Sequence, residues 1–328
     1  MKNKTSLVWF AAVAIVTGTA FAKHPPLFHR QVAEKSDSGA MGAKPLQVLQ
    51  RRSGPGRKAA ADMLLAKLER AGLAKAGDER RSDDAEAHLL DAPDWRLQTR
   101  GTGEWALYEN LAKTRQLNEK DGVPPGQQPT IEQLEGPGRN FIKSVLSDVV
   151  HLGANETLEA WSVTHQKGVS GDIHGTYNES VVASKIGFTR AINGVAVIGS
   201  GSKIGVTFDT HGNVLGFDID WPDYVPMVSA GKSAAEPTVD VGTVRQRLKK
   251  VRASRSFAKL VDERPLECGY YDAGTLVAGS AGVRGACQAH YMTASADGHR
   301  RMGFVDTVPI GEAIVKDSSW PEAVLLQK

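Results

Sequence analysis

Hydrophobic and polar positions alternate most regularly over 180–224. Val182, Ile186 and Phe188 sit opposite Ala183, Lys185 and Thr189, and Asn193-Gly194 then supplies the positive-φ pair of a tight hairpin. Beyond the small residues 199–202, Ile204, Val206 and Phe208 alternate with Lys203, Gly205 and Thr207. After a turn at 209–213, Leu215, Phe217, Ile219 and Trp221 alternate with Gly216, Asp218 and Asp220 until Pro222 ends the ladder. This pattern predicts an antiparallel sheet with one apolar and one wet face.

A period near 3.6 appears in three places. Over 58–74, Ala61, Leu64, Leu65, Leu68 and Ala71 share a face; over 138–152, Phe141, Val145, Val149 and Leu152 do; after Asp240, Val241, Val244, Leu248 and Val251 do. Around 95–112 the pattern is ambiguous: Trp95, Trp105 and Tyr108 suit a hairpin about Gly101-Thr102-Gly103, while Trp105, Tyr108, Leu111 and Ala112 suit a helix. Strands are expected at 158–163, 266–271, 286–293 and 302–308, with loops at 166–178 and 223–237 and a turn at Asp297-Gly298. Pro124-Pro125-Gly126 and Pro129 mark a linker over 121–135.

These elements predict an α+β fold: two small helix-plus-antiparallel-sheet domains of cystatin-like build, at 136–228 and 229–328. Before them come a helical N-terminal region over 58–120 and a flexible tail over 23–57, whose Pro, Gly, Ser, Lys and Arg are too poor in apolar surface to offset ordering entropy. Lys2 and Lys4, an apolar run over 7–16, and Ala20 and Ala22 flanking Phe21 have the form of a cleaved export signal over 1–22, so the mature chain is expected to begin at Lys23. That places the product in a secreted or periplasmic setting. No later stretch has the length of apolar residues that spans a bilayer, and no transmembrane segment is expected in the mature chain.

The formal charge is +3, and removing Lys2 and Lys4 leaves 3 − 2 = +1. That balance gives no electrostatic reason to expect a nucleic-acid partner. The two cysteines, Cys268 and Cys287, lie in strand-like runs on either side of a glycine-rich segment, and export would favour their closure into a disulfide. Two cysteines without clustered histidines make a poor metal site, and neither a metal nor a cofactor is expected.

The run KIGFTRAINGVAVIGSGSKIGVTFDTHGNVLGF resembles the hairpin of the fungalysin and thermolysin propeptide domain, with Phe188, Arg190, Gly194, Val195, Val197, Gly199, Val206, Asp209 and Gly212 at its pattern positions. The later segment containing Val305, Asp306, Thr307 and Gly311 is similar to the PepSY domain of peptidase propeptides. In those families such domains precede a metalloprotease, assist its folding and occupy its cleft. His-Glu-x-x-His occurs nowhere in this chain. The resemblance therefore implies a non-catalytic binding protein, an inhibitor or folding aid for a secreted metalloprotease or another extracytoplasmic protein.

The glycines of VAVIGSGSKIG lead into a strand, whereas a phosphate cradle needs a helix N-terminus there. Ser200-Gly201-Ser202-Lys203 matches Ser-x-x-Lys, but in a strand-connecting loop the lysine is not held one helical turn behind the serine. Asp218, Asp220 and Asp223 could gather around Ca²⁺, against the plainer reading of a solvated edge. The alternative function is a secreted hydrolase with an aspartate or histidine as acid or base. Asp220, Asp223 and Tyr224 are the candidate partner-binding residues, Tyr224 as the exposed aromatic anchor and Trp221 as core.

Overall fold

The structure is a computed structural model that describes residues 46–171, 177–229, 232–233, 235–236, 241–253, 259–276, 282–295 and 301–310. The export signal over 1–22, most of the expected tail, the Asp240 cap and the Asp297-Gly298 turn lie outside the described residues. Among the described residues fifteen strands form one hydrogen-bonded network. In chain order these are β1 (Leu49–Arg52), β2 (Arg80–Asp83), β3 (Ala87–Asp91), β4 (Trp95–Arg100), β5 (Trp105–Asn110), β6 (Glu156–Gly171), β7 (Tyr177–Ile192), β8 (Val195–Gly199), β9 (Lys203–Asp209), β10 (Val214–Asp220), β11 (Asp223–Pro226), β12 (Lys259–Glu263), β13 (Glu267–Asp272), β14 (Gly282–Ala294) and β15 (Arg301–Pro309). The helices are α1 (Arg57–Arg70), α2 (Leu111–Gln116), α3 (Ile131–Val145) and α4 (Val241–Ala253).

The expected α+β arrangement of two small cystatin-like domains is wrong. Strand far outweighs helix, and a large mixed sheet runs through both halves. Eight strands pair antiparallel in the order β6-β7-β9-β10-β5-β4-β3-β2. Around β14, β12 and β13 pair on one edge and β15 on the other. Two links join the groups. β8 leaves β7 through the Asn193-Gly194 turn and lies parallel to β13, with Tyr270 opposite Val197. β1 pairs with β11 and β14, with Tyr224 opposite Arg51 and Val283 opposite Leu49. These partners lie far apart in sequence, where local periodicity carries no information about pairing.

The apolar face of the eight-stranded sheet follows the alternation in the sequence. Ile186, Phe188, Ile204, Val206, Phe217 and Ile219 are buried against Leu64, Leu65 and Leu68 of α1 and Phe141, Ile142 and Val145 of α3. Apolar surface removed from water in this way stabilises the fold by about 25 cal/mol per Å². A second core packs Val244, Leu248 and Val251 of α4 on Cys268, Cys287, Ala289 and Val308.

The region 58–120, expected to be helical, holds α1, then four strands and the short α2, and the hairpin reading of 95–112 is the observed one: Trp105 pairs with Arg100 and Tyr108 with Leu97. Residues 49–52, assigned to the tail, are β1, because Leu49 is buried with Val195, Val197 and Tyr270. α3 starts seven residues earlier than expected and passes through Pro137; its start is fixed by Gln133, whose Oε1 accepts from the Thr130 N–H at 2.9 Å. The expected loops at 166–178 and 223–237 are largely strand: β6 and β7 extend into the first, and β11 and short two-residue pairings fill the described part of the second.

Candidate functional site

A buried group of ionisable side chains lies where the two parts of the sheet meet. Strand parity puts Asp218 and Asp220 on the outer face of β10, opposite the buried Phe217 and Ile219. Asp220 is nevertheless buried, because β1 and the turn after β13 cover that end of the sheet. Arg51 of β1 reaches across: its Nη2 is 2.6 Å from Asp272 Oδ1 and 3.3 Å from Asp220 Oδ1, its Nε donates to Asp272 Oδ1 at 3.0 Å, and its Nη1 donates to Thr275 Oγ1 at 2.7 Å. Thr275 completes Asp220, its N–H donating to Oδ2 at 2.6 Å and its hydroxyl to Oδ1 at 2.9 Å. Burial pushes the Asp220 carboxyl up to about 6, against the opposing pull of Arg51 and the Thr275 N–H.

Asp272 has no solvent exposure. Its Oδ2 accepts from the Tyr224 hydroxyl and its Oδ1 from the Gly274 N–H at 3.0 Å. Ser202 Oγ lies 2.6 Å from the Tyr224 hydroxyl. Gly201 permits the approach, since a Cβ there would stand 2.2 Å from the Asp272 carboxylate. The glycine-serine run of 199–202 is thus a receptor for Asp272, with a strand after it and no helix to meet a phosphate. Above Tyr224, the buried Arg190 guanidinium lies between two rings, 4.1 Å from the Trp221 centroid and 4.7 Å from that of Tyr224, with Glu156 Oε1 3.5 Å from its Nη1. Burial lowers the Arg190 pKa and raises that of Tyr224. Nearby, Lys203 Nζ donates to Thr189 Oγ1 and to the Val197 carbonyl, both at 2.6 Å, and burial brings it down to about 8.

The residues expected to bind a partner therefore separate. Asp220 and Tyr224 belong to the cluster, the tyrosine by its buried hydroxyl, while Asp223 is exposed and pairs in register with Arg52. Trp221 is core, as its parity required, with Nε1 donating to the His151 carbonyl at 3.0 Å. The three aspartates do not converge on a common ligand: Asp218 is bound to Lys185, Asp220 to Arg51 and Thr275, and Asp223 faces solvent. Among the described residues no group of three His, Cys, Asp or Glu is placed to hold a metal ion. His165 bonds Ser184 at 2.9 Å, His290 lies 3.6 Å from Glu267, His88 is enclosed under α1, and His211 sits in an exposed turn. Cys268 and Cys287, directly opposite in β13 and β14, form a disulfide.

Arg51, Asp272 and Thr275 had no signature in the sequence; Arg190 stood out only as a position of the propeptide-like pattern and Ser202 only as part of the glycine-serine run. Ser202 is next to Gly201 and Asp272 is two residues from Gly274, and each glycine gives a carboxylate room, but only the pairing of distant strands tells which carboxylate it is. Compared with known proteins, the chain matches no family profile and no curated protein sequence. Among the described residues no helix is long and apolar enough to cross a membrane.

Proposed function

We propose that the chain is an exported, non-catalytic protein that binds another protein, of which a thermolysin-type metalloprotease is the partner suggested by the 185–217 hairpin. The observation that carries the non-catalytic reading is the closure of the Asp272 cluster. Each carboxylate oxygen of Asp220 and Asp272 already accepts a hydrogen bond from within the chain, at a place with almost no solvent contact. A general acid or base must reach a proton on a substrate at hydrogen-bond distance, and these two are enclosed by Arg51, Tyr224 and Thr275. The cluster acts as a clasp between the two parts of the sheet. Export is supported by the form of residues 1–22 and by the disulfide, which persists in oxidising compartments.

The test is a titration of the purified chain against a thermolysin-type protease cleaving a chromogenic peptide. Turnover that slows to a stoichiometric endpoint supports the reading. Unchanged turnover, together with hydrolysis of esters, glycosides or peptides by the chain itself that Asp220→Asn abolishes, would replace it with the hydrolase.

A further inference from the structure

We infer that the groove between the second half of α3 and the open edge of β6 binds an extended acidic peptide segment of a partner protein, which adds to β6 as a parallel strand. The inference rests on the binding reading above and assigns it a surface away from the Asp272 clasp.

The groove has a volume of about 560 Å³, within the range of about 300–1,000 Å³ usual for ligand sites. Its floor is apolar, formed by Ile142, Val150, Leu152 and Leu158, and Leu152 keeps 46% of its surface exposed. Arg139 and Lys143 stand at the rim. Arg139 is committed to Glu135 at 2.7 Å, and the strand's own acid, Glu156, is committed to Arg190 and to the Gly153 N–H at 3.0 Å. Lys143 is exposed and has no acidic partner among the described residues. The groove therefore presents one uncompensated positive charge beside an apolar floor.

The backbone of β6 adds the direction. Among the described residues β6 pairs with β7 alone, leaving its other edge open. The Asn193 N–H donates to the Asn155 carbonyl at 2.7 Å, so residue 155 turns toward β7. Ladder alternation turns 157 the same way and 156 and 158 outward. Two of the four outward groups are used, the Glu156 N–H by the Gly153 carbonyl at 3.0 Å and the Leu158 carbonyl by Arg139 Nη2 at 2.9 Å. The Glu156 carbonyl and the Leu158 N–H remain. In a parallel ladder these two, flanking residue 157, are satisfied together by the N–H and C=O of one incoming residue. Alternate side chains of that strand would enter the groove, which is how strand addition combines main-chain affinity with side-chain selectivity.

The test uses the full chain and two fluorescein-labelled octapeptides, one alternating Val and Glu and the other Val and Lys, followed by fluorescence anisotropy. The Glu peptide should bind saturably and at least about tenfold more tightly than the Lys peptide. Lys143→Glu should reverse that order, and Leu152→Asp, at an exposed position where folding is spared, should remove binding while the melting temperature holds. Equal binding of the two peptides, no saturation, or unchanged binding in both variants would overturn the inference. A protease slowed equally by the unmodified chain and by Leu152→Asp would leave the binding reading standing and exclude this groove as its contact. Peptide binding as expected with protease turnover untouched would do the reverse.

Discussion

Arg51 and Asp272 are 221 residues apart in the chain and meet at 2.6 Å, with the carboxylate closed off from solvent. Such a pair adds little net stability over an apolar substitute of the same shape, yet removing one member leaves a charge uncompensated in a dry site. Arg51→Met is expected to cost about 3–5 kcal/mol, and combining it with Asp272→Leu to cost less than the two single changes added together. Chemical denaturation of the four proteins checks this.

Asp220 gives a pH dependence with a definite sign. Its carboxyl is raised to about 6 in the folded chain, so between its ordinary value near 4 and that point the folded state holds a proton the unfolded state has released. Its contribution is fully present below about pH 4 and is lost as the pH rises through 6. Asp220→Asn removes this term, so the stability of the variant relative to the parent should rise by about 2–3 kcal/mol from pH 4 to pH 7. Melts at pH 4, 5, 6 and 7 measure it; a difference that does not change with pH contradicts it.

Tyr224 is not the exposed anchor that the sequence suggests. Its hydroxyl instead donates to Asp272 and its ring lies against Arg190. Tyr224→Phe should cost about 1–3 kcal/mol by depriving a buried acceptor of its donor, and Trp221→Ala about 3–5 kcal/mol by emptying core volume. Urea titration distinguishes these values.

Two glycines of α3 should respond in opposite directions. A Cβ at Gly138 would lie 2.7 Å from Phe188 Cζ, whereas one at Gly136 meets nothing within 4 Å. Gly138→Ala is expected to destabilise by about 1–3 kcal/mol through overpacking, and Gly136→Ala to stabilise by about 0.5–1 kcal/mol through helix propensity. Equal melting temperatures for the two variants would show that α3 does not lie this close to β7.

The disulfide between Cys268 and Cys287 closes a separation of 19 residues. The chain-entropy account gives about 3 kcal/mol for a loop of that size. Changing both to Ala should lower the melting temperature, and thiol titration of the unreduced, denatured chain should detect no free cysteine.

What the sequence made legible was local. The alternation of Ile204, Val206 and Phe208 with Lys203 and Gly205, the turn at Asn193-Gly194, and the faces Leu64-Leu65-Leu68 and Val244-Leu248-Val251 all record contacts within one element or between neighbours, where residue spacing maps directly onto geometry. Trp105 and Tyr108 suited a hairpin and a helix alike, and the pairing of Trp105 with Arg100, which decided between them, is a property of two strands. Gly136-Pro137-Gly138 looked like a helix boundary because propensity weighs each residue alone, while here packing on Phe188 favours the small residue. Parity placed Asp220 correctly on the outer face of its strand. It could not reveal that β1, from the other end of the chain, covers that face.

The seat of β1 also constrains the order in which the molecule assembles. Leu49–Arg52 leave the ribosome before every other strand of the network, yet β1 lies between β11 and β14, and Asp272 and Val283, which receive Arg51 and Leu49, emerge more than two hundred residues later. The first strand made is among the last that can dock, and its docking closes the longest loop in the fold. Contacts of such long separation raise the contact order and with it the entropic barrier to folding. A chain held up at its C-terminal end would keep its earliest strand without its β14 neighbour, with Leu49 and the Arg51 charge left waiting for Val283 and Asp272.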